Sequence, residues 1–517
     1  MKEKQTSVIS KKSDAQTRSG KTPFDLRKGL ILLLVNVAAL LPLCVFNGEL
    51  WSVDSPSILL YGKGVHIGMF LDSYRYFGAL IAQLYSFTGH NPIANCLPDA
   101  ILFIILAATG TTVLVACVAD HLKIRLWLPV IALDLAAVLA VENVWFCEIL
   151  TFPESIFLSA IGLLMCFAAV IFFIRYRTVP GIILSAVCLI LATAVYQQYI
   201  VVFTIFVIAV LGCEILGKEN PSAKTAVIKY AGAAALILVS GAVYFLSAKA
   251  ITNATGHNGD YRTELGPADI LENIKYYILR QHSFLKGRGA FKTEIMTVSI
   301  LFVAALWFVL FAVYVMKKKR PGAGIIVLAA FAAAYCSGYL PGIISKSHDT
   351  RVVFGLFSVF FLFVCGIVCL NKSKWIAPVV SCVLAAIFAA NVFAIVRMAN
   401  DQKKQNKADL EAAVAITQAI EDHEKNSGVT VTDIYYCYDT NQDKVSAWTL
   451  FSFDFSMQSI LTLKSGKYTP GSGEVIYKVS EMPESIREQY FAGKDWKELD
   501  LSEQLIFAGD TAYLCVY

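Results

Sequence analysis

Carboxylates and a cation stand among aromatic residues in two stretches between the first two long apolar runs. These stretches are residues 49–54 and 70–78, and they include Asp54, Asp72 and Arg75. Asp72 and Arg75 are three residues apart, so on one helix they would share a face. There they could pair with each other, or flank a phosphate and a hydroxyl nucleophile. The spacing therefore indicates either a structural ion pair or a phosphate site.

Three further carboxylates, Glu142, Glu148 and Glu154, surround a short turn between two later apolar runs. No Lys or Arg accompanies them, so the turn could form a negatively charged pocket for a sugar or supply a general base. The alternative is that these residues end helices in water, as Glu154 would after Pro153 in a first helical turn that favours acids. Glu148 is the best functional candidate of the three.

Two other polar groups lie at boundaries of apolar runs. Tyr196 and Gln197 could hydrogen-bond sugar hydroxyls, although Tyr is also common at membrane boundaries. Lys346 and Arg351 belong to a cationic turn that opens a late apolar run. Arg offers bidentate contacts to phosphate, so this turn could hold a lipid-linked phosphate. The alternative is that both side chains only extend to the membrane surface.

The composition predicts the elements that must position these residues. Of 517 residues, 57% are hydrophobic and 16% are charged, with a mean hydropathy of +0.61. Soluble proteins have about 45–50% apolar and about 25% charged residues, so the apolar excess must face lipid. At roughly 20 residues a span, the apolar runs give about eleven membrane helices. They are predicted at 29–46, 98–119, 125–142, 154–174, 181–196, 199–216, 228–248, 297–316, 323–340, 352–370 and 376–396.

Basic residues predict the orientation of these spans. The first 28 residues, with eight Lys or Arg against three acidic residues, form an expected cytoplasmic tail. With this tail inside, alternate loops are basic while the turns at 141–154 and 196 carry no Lys or Arg, as the positive-inside rule requires. The C-terminus is then outside, with long outer loops at 47–97 and 249–297. The basic inner loops carry Lys123, Arg125, Arg175, Arg177, Lys218, Lys224, Lys229, Lys317, Lys318, Lys319, Arg320, Lys372 and Lys374.

Two parts of the outer side have predicted structure of their own. Residues 66–87 are partly amphipathic and are expected to lie on the membrane surface as one helix. Residues 397–517 predict a small extracytoplasmic α+β domain, and 29–396 form the membrane domain. The C-terminal domain is expected to have helices at 401–424 and 484–491, and strands at 429–438, 448–455, 475–479 and 511–517.

Several classes of site receive no support. The chain has no Walker loop, dinucleotide fingerprint, HExxH motif or nucleophile elbow. Most of its thirteen cysteines lie in apolar runs without a CxxC pair, so no zinc site is predicted. Cys437 and Cys515 fall in predicted external strands, as a disulfide or as two buried thiols. The net charge of +5 comes from Lys and Arg residues that cluster at helix ends, where they indicate membrane orientation. A nucleic acid is therefore not expected as a partner.

One carboxylate, Asp134, lies inside the third predicted span. A charge at membrane depth needs a partner or a task. Asp134 is either a proton-handling group or a hydrogen-bonded one, and a bond to a Ser or Thr of a neighbouring helix is favoured.

Taken together, the D-x-x-R element at Asp72 and Arg75, the acidic turn 148–154, the Tyr196–Gln197 pair and Arg351 resemble the Gtr-type (GtrII-like) bacterial glucosyltransferase family. The resemblance covers nearly the whole membrane region. It implies an all-α, polytopic fold of GT-C type in the bacterial cytoplasmic membrane. It further implies that a hexose, expected to be glucose, passes from a polyprenyl phosphate to a surface polysaccharide or cell-wall polymer on the outer face.

The resemblance also implies roles for the candidate residues. The preferred general base is Asp72, with Asp54 or Glu148 as the alternative. The cofactor is unknown, because a divalent metal is compatible with the chemistry but no motif for one is present. The donor phosphate would bind Arg351, Lys346 and Arg75, and the sugar would bind Tyr196, Gln197 and Glu154.

Two other functions share these features. A transporter or flippase of a lipid-linked saccharide would use the same helices and the same cationic turn. No internal repeat of the kind found in many transporters is evident, and charge at mid-membrane is scarce. A membrane scaffold whose outer domain binds a partner is the third hypothesis.

Overall fold

The computed structural model describes most of the chain. The described residues are 26–48, 50–218, 222–257, 265–279, 295–318, 321–345, 350–370, 375–438, 449–469, 472–494, 496 and 499–516. Lys346 lies outside them, as do parts of the loop at 249–297 and of the basic loops at 317–320 and 372–374.

Helices dominate the part of the chain before residue 428. The first helix is followed at once by a 3-10 turn, Leu41–Val45. A second 3-10 segment, Thr350–Ser358, leads directly into the helix that begins at Val359. We number the helices along the chain as α1 Leu26–Leu40, α2 Ser55–Tyr61, α3 Lys63–Asp72, α4 Tyr76–Phe87, α5 Cys96–His121, α6 Trp127–Leu139, α7 Val144–Leu150, α8 Pro153–Arg175, α9 Val179–Val195, α10 Tyr199–Leu216, α11 Ala223–Ala254, α12 Pro267–Leu279, α13 Ile295–Lys318, α14 Pro321–Ser337, α15 Leu340–Ile343, α16 Val359–Leu370 and α17 Ile376–Ser427.

The expected polytopic, mostly helical fold with a small C-terminal strand region is confirmed. Each predicted span coincides with a helix, and within the described ranges eight helices are long and apolar enough to cross a membrane. The α6–α7 pair, bent by 48°, would make a ninth span. The two remaining predicted spans correspond to shorter apolar helices, Val179–Val195 and Gly322–Ser337.

Close packing holds the bundle together where glycine faces an aromatic ring. Tyr199 is fully buried, and its hydroxyl donates to the Ser159 carbonyl at 2.7 Å. Gly162 makes room for that ring, because a Cβ there would overlap it. Gly366 of α16 leaves the same kind of space for Trp307 of α13, which stacks on Phe331. Such contacts require small residues because protein interiors have few voids.

The bundle has two chemically different ends. We call the end that carries residues 41–95 and the C-terminal domain the loop face, and the opposite end the basic face. On the basic face, Glu214 accepts hydrogen bonds from Arg177 and Lys229 and lies 2.5 Å from His121 Nε2. Basic residues that the sequence assigns to successive loops on one side therefore do meet at one end of the bundle.

On the loop face, the expected single helix at 66–87 is wrong. Helix α3 ends at Asp72 and α4 begins at Tyr76, because Tyr74 has a positive φ of 59° and the Arg75 N–H bonds to the Phe70 carbonyl at 2.7 Å. A left-handed residue ends a helix. Asp72 and Arg75 thus do not share a helix face, and the ion pair that their spacing suggests is not formed in this way.

Helix α17 continues from the bundle into the C-terminal domain. Its 52 residues end where Gly428 adopts a left-handed φ of 70° and its N–H bonds to the Glu424 carbonyl. The predicted span at 376–396 and the predicted helix at 401–424 are thus parts of one continuous helix. At 1.5 Å per residue, the helix is about two and a half times as long as the hydrocarbon core of a bilayer is thick.

The C-terminal domain contains a mixed four-stranded sheet in the order β2-β1-β4-β3. Strands β1 and β4 are parallel, with Cys437 beside Cys515, and both cysteine side chains are buried. The strand expected at 448–455 is wrong, because its described residues, 449–455, form a turn and the start of α18. The strands are β1 Asp433–Tyr438, β2 Lys478–Glu481, β3 Leu505–Ala508 and β4 Thr511–Val516, and the helices are α18 Asp454–Lys464, α19 Glu484–Phe491 and α20 Leu501–Gln504.

The domain packs directly on the first stretch of the loop face. Asn406 donates to the Trp51 carbonyl at 3.0 Å, and Trp51 packs against the core of the domain. Ser57 of α2 lies 2.9 Å from the hydroxyl of Ser459 in α18. The domain thus fixes both sides of Asp54, which lies between Trp51 and Ser57 in the sequence.

The Gly366 contact predicts a contrast between two glycine substitutions. Gly366→Ala should lower thermal stability strongly, because the added methyl group would overlap the Trp307 indole. Overpacking of this kind costs about 1–3 kcal/mol or more. Gly232→Ala in α11, where a Cβ meets open space, should be neutral or slightly stabilising. Thermal unfolding of the purified proteins in detergent checks this, and equal effects would contradict the packing.

Candidate functional site

A buried ion pair joins two elements at the loop face. Glu148 of α7 is 2% exposed, and its Oε1 lies 3.5 Å from Nη1 of Arg351, whose side chain is 17% exposed. Its Oε2 accepts a hydrogen bond of 3.0 Å from the Arg351 backbone N–H. One carboxylate therefore holds both the side chain and the backbone of Arg351. Because both charges are largely removed from water, each depends on the other for compensation.

A break between helices α6 and α7 determines the position of Glu148. Helix α6 ends before residue 142, and Asn143 caps α7 by accepting from the Phe146 N–H at 2.9 Å. The Asn143 amide also donates to the Leu139 carbonyl at 3.0 Å, so one side chain ties the two helices together. Such caps satisfy backbone groups that a helix end leaves open. The cap sets the direction of α7, and hence of Glu148.

Aromatic rings surround Arg351. Its guanidinium lies 4.8 Å from the ring centroid of Phe152, a cation–π contact. The Tyr196 hydroxyl donates to the Arg351 carbonyl at 3.3 Å. The guanidinium of Arg75 lies 4.4 Å from the centroid of the same Tyr196 ring. Tyr196 therefore stands between the two arginines, and we call Glu148, Phe152, Tyr196, Arg75 and Arg351 the arginine centre.

Two adjacent amides fix the segments around this centre. Gln197 Nε2 donates to the Ser73 carbonyl and to the Tyr244 hydroxyl, both at 2.9 Å. Gln198 donates to the Val352 carbonyl and accepts from the Gly355 N–H at 3.2 Å. The first amide anchors the α3–α4 break, and the second anchors the segment that carries Arg351. Backbone groups in irregular segments of a buried region need partners of this kind.

A second group of candidates lies beside the arginine centre. Ser52 donates to Glu154 Oε1 at 2.7 Å, and the Asp54 carboxylate lies within Coulombic range of Glu154. Oε2 of Glu154 is buried and has no hydrogen-bond partner among the described residues. We call Asp54 and Glu154 the carboxylate pair. Glu154 follows Phe152 by two residues, so the pair adjoins the arginine centre.

His66 is a neighbour of the carboxylate pair that the sequence did not single out. Its ring lies against the Glu154 backbone and packs on Phe70 with centroids 5.2 Å apart. Burial lowers the pKa of His66 from 6.5 to about 4, so the imidazole is neutral at physiological pH. A lone His in a partly apolar stretch gives no signal for this position, because its neighbour Glu154 is distant in the sequence.

Asp72 is the last residue of α3, three residues before Arg75 of the arginine centre. Its side chain is 47% exposed, and its Oδ1 is 3.1 Å from Nδ1 of His257 at the end of the described part of the long loop. The structure therefore brings Glu148, Arg351, Tyr196 and Arg75 into direct contact, with Asp54 and Glu154 adjacent. The Asp72 carboxylate instead contacts His257.

Two other buried acids, Asp134 and Glu142, differ in their hydrogen bonding. Asn36 donates to Asp134 at 3.0 Å and to Thr112 at 2.9 Å, so Asp134 has the expected hydrogen bond, although from an Asn. Neither carboxylate oxygen of the fully buried Glu142 has a hydrogen-bond partner in the described ranges. Among the described residues, the one His, Cys, Asp or Glu trio spaced for a metal ion is Cys213, Cys365 and Cys369, far along the helices from this site.

Comparison with known proteins adds one finding. The model of the family described as "Glucosyl transferase GtrII" matches residues 43–370, which include every candidate residue discussed above. A search of curated proteins finds no significant match.

The buried ion pair predicts unequal effects from breaking two ion pairs. Glu148→Ala should cost about 3–5 kcal/mol of stability, because it removes the carboxylate that compensates the largely buried Arg351. Asp401→Ala, which breaks the pair with the mostly exposed Arg397, should cost less than about 1 kcal/mol. Thermal unfolding of both variants tests this. Similar losses of stability in the two variants would show that the Glu148–Arg351 pair contributes no more than an exposed ion pair.

Burial of His66 predicts a pH dependence of stability. The unfolded chain gains a proton on this ring below pH 6.5, whereas the folded chain gains it only near pH 4. Stability from His66 is thus complete above 6.5 and falls as pH drops through this window, by roughly 3 kcal/mol at about 1.36 kcal/mol per unit. His66→Asn should reduce the loss of melting temperature between about pH 7.5 and about pH 5. An unchanged loss would contradict the assignment.

Proposed function

The chain belongs to the GtrII glucosyl transferase family, and we propose that it moves glucose from a polyprenyl phosphate to a surface polysaccharide or cell-wall polymer. The observation that carries this proposal is the buried Glu148–Arg351 pair at the loop face of an apolar helical bundle. A lipid-borne donor needs apolar helices for its tail and a cationic, partly dry site at the membrane boundary for its phosphate. The bundle provides the apolar helices, and the arginine centre provides the cationic, partly buried site.

Arg351 and Arg75 are the groups that we propose for the donor phosphate. Both contact Tyr196: the Arg75 guanidinium stacks on its ring, and the Arg351 carbonyl accepts a hydrogen bond from its hydroxyl. A guanidinium can donate two parallel hydrogen bonds to phosphate oxygens. When the bond from the anomeric carbon to the phosphate breaks, these cations would stabilise the negative charge that develops on the leaving phosphate. Lys346 is a further candidate for this role.

For the general base we propose Asp54 in preference to Asp72. Asp54 begins α2 next to Ser52 and Glu154, and the C-terminal domain fixes the chain on both of its sides. Asp72 is half-exposed and already paired with His257. A base must be within hydrogen-bond reach of the acceptor hydroxyl while the donor phosphate is bound. A position next to Glu154 and Phe152 meets this need better.

The remaining candidates divide into sugar binding and positioning. Glu154 keeps one buried oxygen without a partner among the described residues, and this oxygen could accept a hydrogen bond from a sugar hydroxyl. Tyr196 offers a ring edge beside the two arginines. The amide of Gln197 is used twice within the protein, so we propose that this residue positions the α3–α4 break. Glu148 positions Arg351 in the same sense.

We propose that the loop face is extracytoplasmic, in the bacterial cytoplasmic membrane. Support comes from the basic face, where Arg177, Lys229 and His121 gather around Glu214, because positive residues favour the cytoplasmic side. The N-terminal tail is then inside and the C-terminal domain outside. Nucleotide sugars do not occur outside the cell, so an activated sugar there must arrive on a lipid.

A transfer assay separates the proposed roles. Proteoliposomes receive polyprenyl-phosphate-glucose as donor and isolated cell envelopes as acceptor, and the transferred glucose is counted. Asp54→Asn should lower kcat by about 100-fold or more, as expected for loss of a general base. Asp72→Asn should retain most of the activity. Full activity of D54N with loss in D72N would assign the base to Asp72 instead.

Arginine variants test the donor site in the same assay. Arg351→Lys keeps the charge but loses the bidentate geometry, and should reduce kcat strongly. Arg397→Lys, on the exposed surface of α17, is the matched control and should leave transfer unchanged. Equal activity of the two variants would overturn the donor site. Movement of labelled donor across the bilayer without transfer to the acceptor would favour a flippase.

A further inference from the structure

Three cysteines meet where α10 crosses α16. Cys365 and Cys369 are one helical turn apart on α16, so they share a face, and both sulfurs approach Cys213 of α10. All three sulfur atoms lie within 4.8 Å of one another, and those of Cys213 and Cys365 are 3.3 Å apart. The cysteines are free thiols, since no disulfide joins any pair of them. We call them the cysteine triad.

We propose that the cysteine triad binds one soft metal ion, Zn²⁺ or Cu⁺. An ion held at about 2.3 Å by thiolates in tetrahedral geometry keeps its sulfur ligands about 3.8 Å apart. The separations in the triad, from 3.3 Å to within 4.8 Å, lie on both sides of this value, so small rotamer shifts are enough for coordination. Thiolate sulfur is the ligand that selects these ions over Mg²⁺ or Ca²⁺.

Two of the three thiols are buried and the third is half-buried near a helix end. Cys213 and Cys365 are buried, whereas Cys369 is half-buried and next to the last residue of α16. Cys369 thus lies at the end of the triad nearest the basic face, and we propose that an ion enters from this side. A divalent ion would displace three thiol protons, which leave on the same side to solvent, and the fourth position would hold a water molecule. No electron transfer is involved in this step.

The same two helices are joined at their other ends by Gln198. This amide at the start of α10 bonds to Val352 and Gly355, in the 3-10 segment that leads into α16. A metal ion at the triad would tie α10 to α16 at the basic face as Gln198 does at the loop face. The ion would thus stabilise the register of the segment that carries Arg351, without taking part in transfer.

Cadmium titration tests the proposal independently of enzyme activity. The full-length protein is purified in detergent with reductant, stripped with a chelator and titrated with Cd²⁺, while ultraviolet thiolate-to-metal charge transfer is recorded. We expect saturation at one Cd²⁺ per chain with the intensity of three thiolates, and a rise in melting temperature. Zn²⁺ and Cu⁺ are then added separately as competitors, and the ion that displaces Cd²⁺ identifies the preferred occupant.

Variants decide whether the triad is the binding site. Cys365→Ala and Cys369→Ala should each reduce the charge-transfer band by at least one third and weaken binding more than 10-fold, in line with the large contribution of each ligand. Cys369 is half-buried at a helix end, so its variant should fold even if C365A does not. The matched controls Cys336→Ala and Cys382→Ala, both at exposed thiols, should bind as the unaltered protein does. Absence of the band, or full binding by C369A, overturns the proposal.

Discussion

The Glu148–Arg351 ion pair is the interaction on which the loop face depends. Two opposite charges at the end of an apolar bundle stabilise each other, because each is costly to bury without a partner. The carboxylate holds the Arg351 backbone as well as its side chain, so α7 and the 3-10 segment before α16 are fixed together. Phe152, Tyr196 and Arg75 then pack around a cation whose position is already determined.

Breaks in helices, rather than the helices themselves, supply the candidate residues. A backbone that leaves helical geometry inside an apolar bundle must find other hydrogen-bond partners. Asn143, Gln197 and Gln198 provide them at three such breaks, and each break carries or adjoins a charged candidate. The same polar side chains thus satisfy the backbone and hold the site rigid. The C-terminal domain adds a fourth support by binding Trp51 and Ser57 around Asp54.

Periodicity and composition predicted the spans, because lipid imposes a strong and local pattern on the sequence. They did not predict that the span at 376–396 and the polar helix at 401–424 form one continuous helix, α17. Local spacing failed where tertiary contacts decided the backbone. Tyr74 has a left-handed backbone conformation and divides the helix that Asp72 and Arg75 were expected to share. A Tyr at this position gives no sequence signal for such a break. The strand expected at 448–455 was overridden in a similar way by the start of α18, whose inner face packs in the domain core.

The candidate site was predictable as a set of residues but not as an arrangement. Polar residues beside apolar runs identified Glu148, Arg351 and Tyr196, yet their contacts span up to 203 residues of chain. His66 and the cysteine triad gave no signal, since a lone His or Cys in an apolar stretch resembles an ordinary core residue. Long-range pairing of this kind depends on how the helices pack, which the pattern along one chain does not contain.

The most direct measurement is a cryo-electron microscopy structure of the purified protein with polyprenyl phosphate bound. We expect the phosphate within hydrogen-bond distance of the Arg351 guanidinium, close to Tyr196, with the Asp54 carboxylate facing the same cavity and the lipid chain between helices of the bundle. A phosphate bound at the basic face, or one held at the loop face away from Arg351, would contradict the central role of the Glu148–Arg351 pair.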